Sequence, residues 1–272
     1  MPSSPPRASL FPALLKYWRG QRGLSQLDLA LAADVSARHI SFLETGRSTP
    51  SADMVLRLSA AFDLPLRHVN ALLESAGHPP AYRELAPGGA LPDEIAGALR
   101  MMKAHHEPFP LLVIDRAYDV LDLNDGARAL LGPLLAEAGQ AAARPNLVRL
   151  TFDPRVRPVL LNFDEIGRAL LSRLQREALS DRGDERLREL LDEVLAMPTV
   201  SARWRHADLS LPSSPTLLVR LRAGDRELSF LAMVTVLQAP QRVALDELRI
   251  ETWFPADDAT AAACRALQPA SR

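Results

Sequence analysis

The sequence has one cysteine, Cys264, and only two lysines, Lys16 and Lys103, among its 32 basic residues. A single cysteine excludes an internal disulfide framework and fits a reducing compartment. No apolar run reaches the roughly 18–20 residues of a membrane span, and the first residues lack a signal peptide. A formal net charge of −1 excludes a protein that coats nucleic acid through a generally basic surface. These absences predict a cytoplasmic protein without membrane contact, whose nucleic-acid binding is confined to a local patch.

The remaining composition is that of a globular protein with more than one domain. The chain has 272 residues, of which 47% are hydrophobic and 24% charged. We expect a disordered start at 1–9, a helical domain at 10–77 and a proline- and glycine-rich linker at 78–91. An α+β domain at 92–260 and a tail at 261–272 complete the prediction. The expected fold class is therefore multi-domain, mainly α plus α+β.

The helical domain contains the start and stop signals of five short helices. Ser25 and Ser36 stand where the N-caps of the second and third helices are expected. Thr49 or Ser51 caps the fourth helix, and Gly77 ends the fifth. The second helix, 26–33, and the third, which ends near Thr45, are joined tightly, as in a helix-turn-helix.

The third helix has an inner and an outer face. When Ile40 and Leu43 point inward, the opposite face of the helix points outward. It carries Arg38, Ser41, Phe42 and Thr45, which are spaced by three, four and seven positions. There Arg38 could read guanine bidentately, and Phe42 could touch a thymine methyl group. Helix N-termini and the following loop suit phosphate contacts. The candidate DNA-contacting residues are Gln26, Ser36, Ala37, Arg38, His39, Ser41, Phe42, Thr45, Arg47 and Ser48. The same spacing also fits an ordinary helix pair in an all-α domain.

The stretch LSQLDLALAADVSARHISFLETGRSTPS, residues 24–51, resembles the repressor-type helix-turn-helix of the XRE (Cro/C1-type) family. It departs from the family pattern at Asp34, where glycine is frequent, and at Phe42, where a polar residue is frequent. The resemblance implies a five-helix lambda-repressor-like domain that binds double-stranded DNA. We favour a repressor over an activator, and both remain open. One short reading helix gives little affinity, so we expect a homodimer on a palindromic operator.

The second half of the chain alternates between strand and helix patterns. Two strand patterns at 111–115 and 118–123 form a predicted hairpin. Helices are predicted at 124–136, 162–180 and 184–196, and strands at 216–222, 228–237 and 248–254. Gly224 and Asp225 form a hairpin loop between the first two of these strands. Two strands, helices and three strands predict an α+β layer structure.

Four segments of this half resemble the ligand-binding domain of MmyB-like regulators: HEPFPLLVIDRAYDVLDLNDGARALL, NLVRLTFDPRVRPVLLNFDEIGRALLSRLQREA, ARWRHADL and IETWFPAD. The resemblance implies a PAS-like sensor fold with a buried apolar pocket. It also implies a small apolar ligand such as a fatty acid, and no other cofactor is expected.

The candidate ligand-binding residues are Phe163, Leu170, Leu174, Arg205, Phe230 and Met233. Five of them are apolar residues on a helix and a strand, where core packing and pocket lining predict the same pattern. Arg205, in the segment Arg203–His206, fits either a solvated surface turn or a cationic mouth for a ligand carboxylate.

Catalytic and metal-binding patterns are scarce in this sequence. Lys103 is the only lysine after residue 16, which disfavours a self-cleaving domain with a Ser/Lys dyad, and the zinc-peptidase motif H-E-x-x-H is absent. His105 and His106 point about 100° apart on a helix, so they do not share a ligand face. We therefore predict neither a metal site nor a catalytic site. The alternatives are an enzyme acting on the apolar ligand and an antitoxin-like interaction module.

Overall fold

The computed structural model describes residues 10–82, 91–140, 144–180, 184–205, 216–237 and 248–267. These residues form two compact units, one on each side of residue 90. The start of the chain that is expected to be disordered, residues 1–9, lies outside the described residues. So do the last residues of the expected tail, 268–272.

The first unit consists of five helices around one core. They are α1 (Leu10–Gln21), α2 (Gln26–Ala32), α3 (Ala37–Glu44), α4 (Ala52–Ala61) and α5 (Leu66–Ser75). Residues from all five helices bury their apolar side chains together, among them Phe11, Leu29, Ile40, Leu58 and Leu72. The predicted set of five helices is confirmed.

Hydroxyl side chains start three of these helices, as predicted. The Ser25 hydroxyl accepts from the backbone N–H of Asp28, and the Asp28 carboxylate accepts from the Ser25 N–H, which completes a capping box. Ser36 caps α3, and Ser51 rather than Thr49 caps α4. Asp34 lies in the turn between α2 and α3 with φ +53°, a left-handed conformation that aspartate tolerates better than most residues.

The first unit continues beyond the predicted boundary at residue 77. The side chain of Asn70 is only 2% exposed. Its amide nitrogen donates to the carbonyl of Tyr82 at 2.7 Å, and its oxygen accepts from the Tyr82 N–H at 3.0 Å. Tyr82 also packs against the core. Residues 78–82, predicted as linker, therefore belong to the folded helical unit, because a buried amide requires partners for its donor and its acceptor.

The second unit is an α+β domain with a five-stranded antiparallel sheet. Its elements in chain order are α6 (Asp93–His106), β1 (Leu111–Ile114), β2 (Val120–Leu123), α7 (Asp125–Glu137), α8 (Leu147–Phe152), α9 (Phe163–Ser180), α10 (Glu185–Ala196), β3 (Thr216–Ala223), β4 (Arg226–Val236), β5 (Arg249–Pro255) and α11 (Asp258–Leu267). Short 3₁₀ turns lie at Arg157–Val159 and Ala202–Trp204. The predicted succession of two strands, helices and three strands is confirmed.

The strand order across the sheet is β2–β1–β5–β4–β3. The predicted hairpin of β1 and β2 forms, with Leu112 opposite Leu123. Gly224, with φ +61°, lies in the turn from β3 to β4. The main core of the unit joins one face of the sheet to helices from α7 to α10, while Leu99 of α6 packs with Leu111, Val113 and Ile250 in a separate cluster. None of the described helices is long and apolar enough to cross a membrane.

The start of α7 is fixed by close backbone contacts. The Glu107 carboxylate accepts from the N–H groups of Asp125 at 2.7 Å and Gly126 at 2.9 Å. Asn124 caps the same helix and also accepts from the Leu111 N–H at the start of β1. A Cβ atom on Gly126 would lie 2.3 Å from the carbonyl oxygen of Pro108. Only glycine fits this approach without a backbone shift.

The sequence prediction missed two helices. The segment after residue 260, predicted as tail, lies in α11 up to Leu267, and α8 was not predicted. The start of α11 is capped by Asp257, which accepts from the Thr260 N–H at 2.7 Å. Its buried face consists of small residues, Thr260, Ala261, Ala263 and Cys264, which produce a weak hydrophobic pattern in the sequence.

Candidate DNA-binding surface and ligand cavity

Helix α3 presents two distinct faces. Ile40 and Leu43 are completely buried. On the opposite side Arg38 and Thr45 are exposed, and Phe42 is half-buried. The remaining candidates on or next to the helix, Ser36, Ala37, His39, Ser41, Arg47 and Ser48, are half-buried or exposed. The structure thus leaves every predicted contact residue on α3 and its flanks at least partly accessible.

Two hydroxyl groups of this surface already bind the backbone. Ser36 accepts from the His39 N–H at 3.1 Å, and Thr45 donates to the Ser41 carbonyl at 2.8 Å. The Ser36 hydroxyl retains its own proton and can still donate to a phosphate oxygen. The Thr45 hydroxyl has its proton engaged, which makes it an acceptor toward a ligand.

Gln26, predicted to bind phosphate, is one member of a polar cluster between α1, α2 and α3. Its amide nitrogen donates to Glu44 at 2.7 Å. Arg19 donates to the same carboxylate at 2.6 and 3.2 Å, and to the Leu24 carbonyl at 2.8 Å. The Glu44 side chain is only 4% exposed. Burial alone would raise the pKa of Glu44, but the bonds from Arg19 and Gln26 outweigh burial, so this pKa is lowered.

Two arginines lie close to the ring of Phe42 on this surface. The Cζ atom of Arg38 lies 5.2 Å from the centre of the Phe42 ring, and that of Arg47 lies 6.0 Å from it. Both arginines are exposed. They place two positive charges beside the outer face of α3, as a surface that contacts DNA phosphates requires.

The second unit contains a cavity between the sheet and the helices α7, α8 and α9. Its volume is about 90 Å³. The lining is mostly apolar and comprises Leu131, Leu134, Leu147, Leu150, Thr151, Val156, Leu160, Ile166, Leu170, Arg173, Thr216, Leu217, Val219, Leu221, Ala232, Val234, Glu251 and Trp253. Apolar walls with a few polar groups are typical of small-molecule sites.

Comparison with known families assigns both units. The family model "MmyB-like transcription regulator ligand binding domain" matches residues 95–267, which is more than half of the chain and includes every residue that lines the cavity. The chain belongs to the MmyB-like transcription regulators. A helix-turn-helix family model matches residues 15–69, which include α2 and α3. Comparison with curated proteins gives no match. The protein is a DNA-binding transcription regulator with a ligand-binding domain.

Two of the described residues that line the cavity of this MmyB-like regulator are ionisable, Arg173 and Glu251, and they lie close enough to interact electrostatically; we call this pair the polar end of the cavity. The Nε atom of Arg173 donates to the Tyr118 hydroxyl at 3.0 Å, and Trp253 donates its indole N–H to Glu251 at 2.8 Å. Burial raises the pKa of Glu251 more than the bond from Trp253 and the charge of Arg173 lower it. Burial acts against the charge on Arg173, but Tyr118 and Glu177 outweigh it and raise the pKa of Arg173.

A buried network continues from this polar end into the domain. The guanidinium carbons of Arg173 and Arg249 lie 5.3 and 5.2 Å from the centre of the Tyr118 ring. The Tyr118 hydroxyl donates to Glu177 at 3.0 Å, and Arg249 binds the same carboxylate at 3.1 and 3.2 Å. Tyr118 therefore holds Arg173 at the cavity wall through its hydroxyl group and its ring. The backbone of Tyr118 is itself in a left-handed conformation, with φ +65°.

The structure separates the six predicted ligand residues. Leu170 lines the cavity. Phe163, Leu174 and Phe230 are at most 2% exposed in the core and are not among the described residues that line the cavity. Met233 is 40% exposed on the other face of the sheet, because residues three apart on a strand point to opposite faces.

Arg205 is exposed and is not among the residues that line the cavity, whereas Trp204, next to it, is buried. This placement agrees with the interpretation of the segment as a surface turn. Its neighbour His206 lies outside the described residues. Arg173 and Glu251 were missed by sequence reasoning. The sequence does contain a signal for Arg173 as a cavity residue. This arginine interrupts an apolar pattern of α9, between Leu170 and Leu174.

Among the described residues, no group of three or more His, Cys, Asp and Glu side chains could hold a metal ion. The two adjacent histidines bind separate carbonyl oxygens. A ring nitrogen of His105 lies 2.8 Å from the Met101 carbonyl, and one of His106 lies 3.1 Å from the Trp253 carbonyl.

Proposed function

We propose that this chain is a cytoplasmic, homodimeric repressor that binds a palindromic operator. In this proposal, an apolar molecule with a carboxylate group enters the cavity and changes the affinity of the protein for DNA. The observation that carries the proposal is the apolar cavity with Arg173 at its wall, in a chain that also presents the outer face of α3. The repressor role and the cytoplasmic location rest on the resemblance of the helix-turn-helix to DNA-binding repressors.

The ligand class follows from the chemistry of the cavity. Each buried methylene group contributes about 0.8 kcal/mol, so an acyl chain is favoured by the apolar walls. A carboxylate matches a guanidinium, since that pair forms charge-assisted hydrogen bonds. Glu251 in its protonated form could donate a further hydrogen bond to the ligand. A cavity of about 90 Å³ is smaller than the 150 Å³ cavity that admits benzene in an engineered protein, so a long acyl chain must also extend beyond it.

The homodimer is supported by the outer face of the sheet. Leu218, Leu231 and Phe254 lie side by side on β3, β4 and β5, since Leu231 pairs with both of the others. They are 36%, 37% and 41% exposed. Adjacent exposed apolar side chains favour association. Two copies of the eight-residue α3, about one DNA turn apart, would supply the affinity that one copy lacks. The sheet order β2–β1–β5–β4–β3 supports the PAS-like fold.

The function is tested on the purified full-length protein. Selection from random DNA should return a palindromic motif, and sedimentation should show a dimer. Thermal melts with decanoic acid should show stabilisation, and the acid should change the affinity for the selected DNA. Arg173→Met should weaken the response to decanoic acid more than the response to decanol, because only the acid carries a charge for the guanidinium.

Separate outcomes contradict separate parts of the proposal. If no motif is selected, sequence-specific DNA binding is wrong. If neither ligand stabilises the protein, and native mass spectrometry finds no bound molecule after purification, the sensor role is wrong. A ligand recovered in chemically altered form would favour the alternative of an enzyme acting on an apolar substrate.

A further inference from the structure

Phe42 lies in the middle of the candidate DNA-contacting face, and two guanidinium groups lie beside its ring. Arg38 precedes it by one helical turn, with its Cζ atom 5.2 Å from the ring centre. Arg47 follows the helix, with its Cζ atom 6.0 Å from the ring centre. Both distances fall within the range in which the electron-rich face of an aromatic ring attracts a guanidinium.

The end of α3 brings Arg47 back toward the ring. Gly46 has φ +71°, a left-handed conformation that ends the helix. The backbone N–H of Arg47 then donates to the Phe42 carbonyl at 2.9 Å, and that of Ser48 donates to the same oxygen at 3.3 Å. Phe42 therefore contacts Arg47 in two ways. Its carbonyl oxygen accepts the backbone N–H of Arg47, and its ring lies next to the Arg47 side chain.

Free arginine side chains have many rotamers, and ordering them opposes binding. A ring that restrains them before DNA arrives reduces this cost. We propose that Phe42 is a positioning residue for DNA recognition, whose ring orients the guanidinium groups of Arg38 and Arg47 together. Arg38 then reads a base edge while Arg47 binds the backbone phosphate. This inference rests on the proposed function, in particular on sequence-specific DNA binding.

The test compares Phe42→Leu, Phe42→Met and Phe42→Tyr in the full-length protein by selection from random DNA. Leucine and methionine keep an apolar side chain that can still touch a thymine methyl group, but they remove the aromatic face. We expect both variants to lose base preference at the same position as Arg38→Ala. Operator affinity should fall about two- to five-fold for each guanidinium and half-site. Tyrosine keeps the ring and should retain the preference.

A double-mutant cycle separates positioning from direct contact. If Phe42 acts through Arg38, Phe42→Leu should cause no further loss of base preference in the Arg38→Ala protein. Its remaining effect on affinity, which acts through Arg47, should disappear in the protein that carries both Arg38→Ala and Arg47→Ala. A full effect of Phe42→Leu in that double variant, or lost preference at a base position that Arg38→Ala leaves intact, would indicate direct contact with a base and overturn the proposal. Leu31→Ala is the control, because it removes a 73% exposed apolar side chain from α2.

The remaining outcomes also decide the question. Thermal melts show whether each variant is folded, and binding to non-operator DNA measures the part of the effect that acts through Arg47. Two folded non-aromatic variants that select the wild-type motif overturn the positioning role and leave the proposed function intact. The same role is overturned if Phe42→Tyr loses preference as Phe42→Leu does. A wild-type protein that selects no motif overturns both proposals.

Discussion

Replacing Glu44 by glutamine should destabilise the helical unit, because it removes the charge at the centre of the cluster between α1, α2 and α3. Glu44 is 4% exposed and accepts two bonds from Arg19 and one from Gln26. Hydrogen bonds to a charged group contribute about 1.5–3 kcal/mol to stability. Breaking a buried ion pair costs about 3–5 kcal/mol, but Arg19 is 18% exposed and can regain water. We therefore expect a loss of about 2 kcal/mol.

The free energy of unfolding is measured on the fragment 1–90, which contains every described core residue of the first unit. For a domain of this size, about 2 kcal/mol corresponds to a decrease of roughly 8–16 °C in melting temperature. The control is Asp53→Asn, because Asp53 is 80% exposed and pairs with Arg57 at the surface. Surface pairs contribute about 0–1 kcal/mol, so the control should melt within a few degrees of the wild type.

The pH dependence supplies a second test of the same cluster. The pKa of Glu44 is lowered in the folded protein, so this carboxylate contributes stability above its unfolded value, about 4.3. That contribution is lost as pH falls through the folded pKa. The difference between the wild type and Glu44→Gln should thus be constant near pH 7 and shrink below about pH 4. Equal unfolding free energies at pH 7, or a difference independent of pH, would refute the reasoning.

Three further predictions concern other parts of the chain. Arg38→Ala should cost about 1–3 kcal/mol of specific binding, whereas Arg47→Ala should weaken binding to all sequences and reduce its salt dependence; titrations at several salt concentrations measure both. Gly126→Ala should destabilise the second unit by about 1–3 kcal/mol or more, as measured in thermal melts. The control is Gly97→Ala, a position with room for a methyl group, which should stabilise the unit by about 0.5–1 kcal/mol. Ala232→Leu should fill the cavity and abolish stabilisation by decanoic acid while the protein remains folded.

Local signals predicted most of the helical unit. A serine before an apolar pattern identifies an N-cap from adjacent residues alone, and Ser25, Ser36 and Ser51 all cap helices. The link between Asn70 and Tyr82 could not be predicted in this way. It joins residues twelve positions apart and depends on where α5 packs.

The cavity was harder to predict than the fold because its position depends on the rotation of α9. Leu170 and Leu174 share one stripe of this helix, yet Leu170 lines the cavity and Leu174 lies in the core. Arg173, between them, forms part of the polar end. The sequence alone could have shown that Phe230 and Met233 do not line the same cavity. They lie three positions apart on one strand, and an odd separation places two side chains on opposite faces of a sheet.

The bonds between Asn70 and Tyr82 determine where the DNA-binding half can be separated from the rest of the chain. A fragment that ends with α5 at Ser75 retains all five helices, yet it leaves the buried Asn70 amide without its partners. An unsatisfied buried polar group costs about 1–3 kcal/mol, a large share of the stability of a small domain. A fragment that keeps these bonds must therefore extend at least to Tyr82, seven residues beyond the last helix.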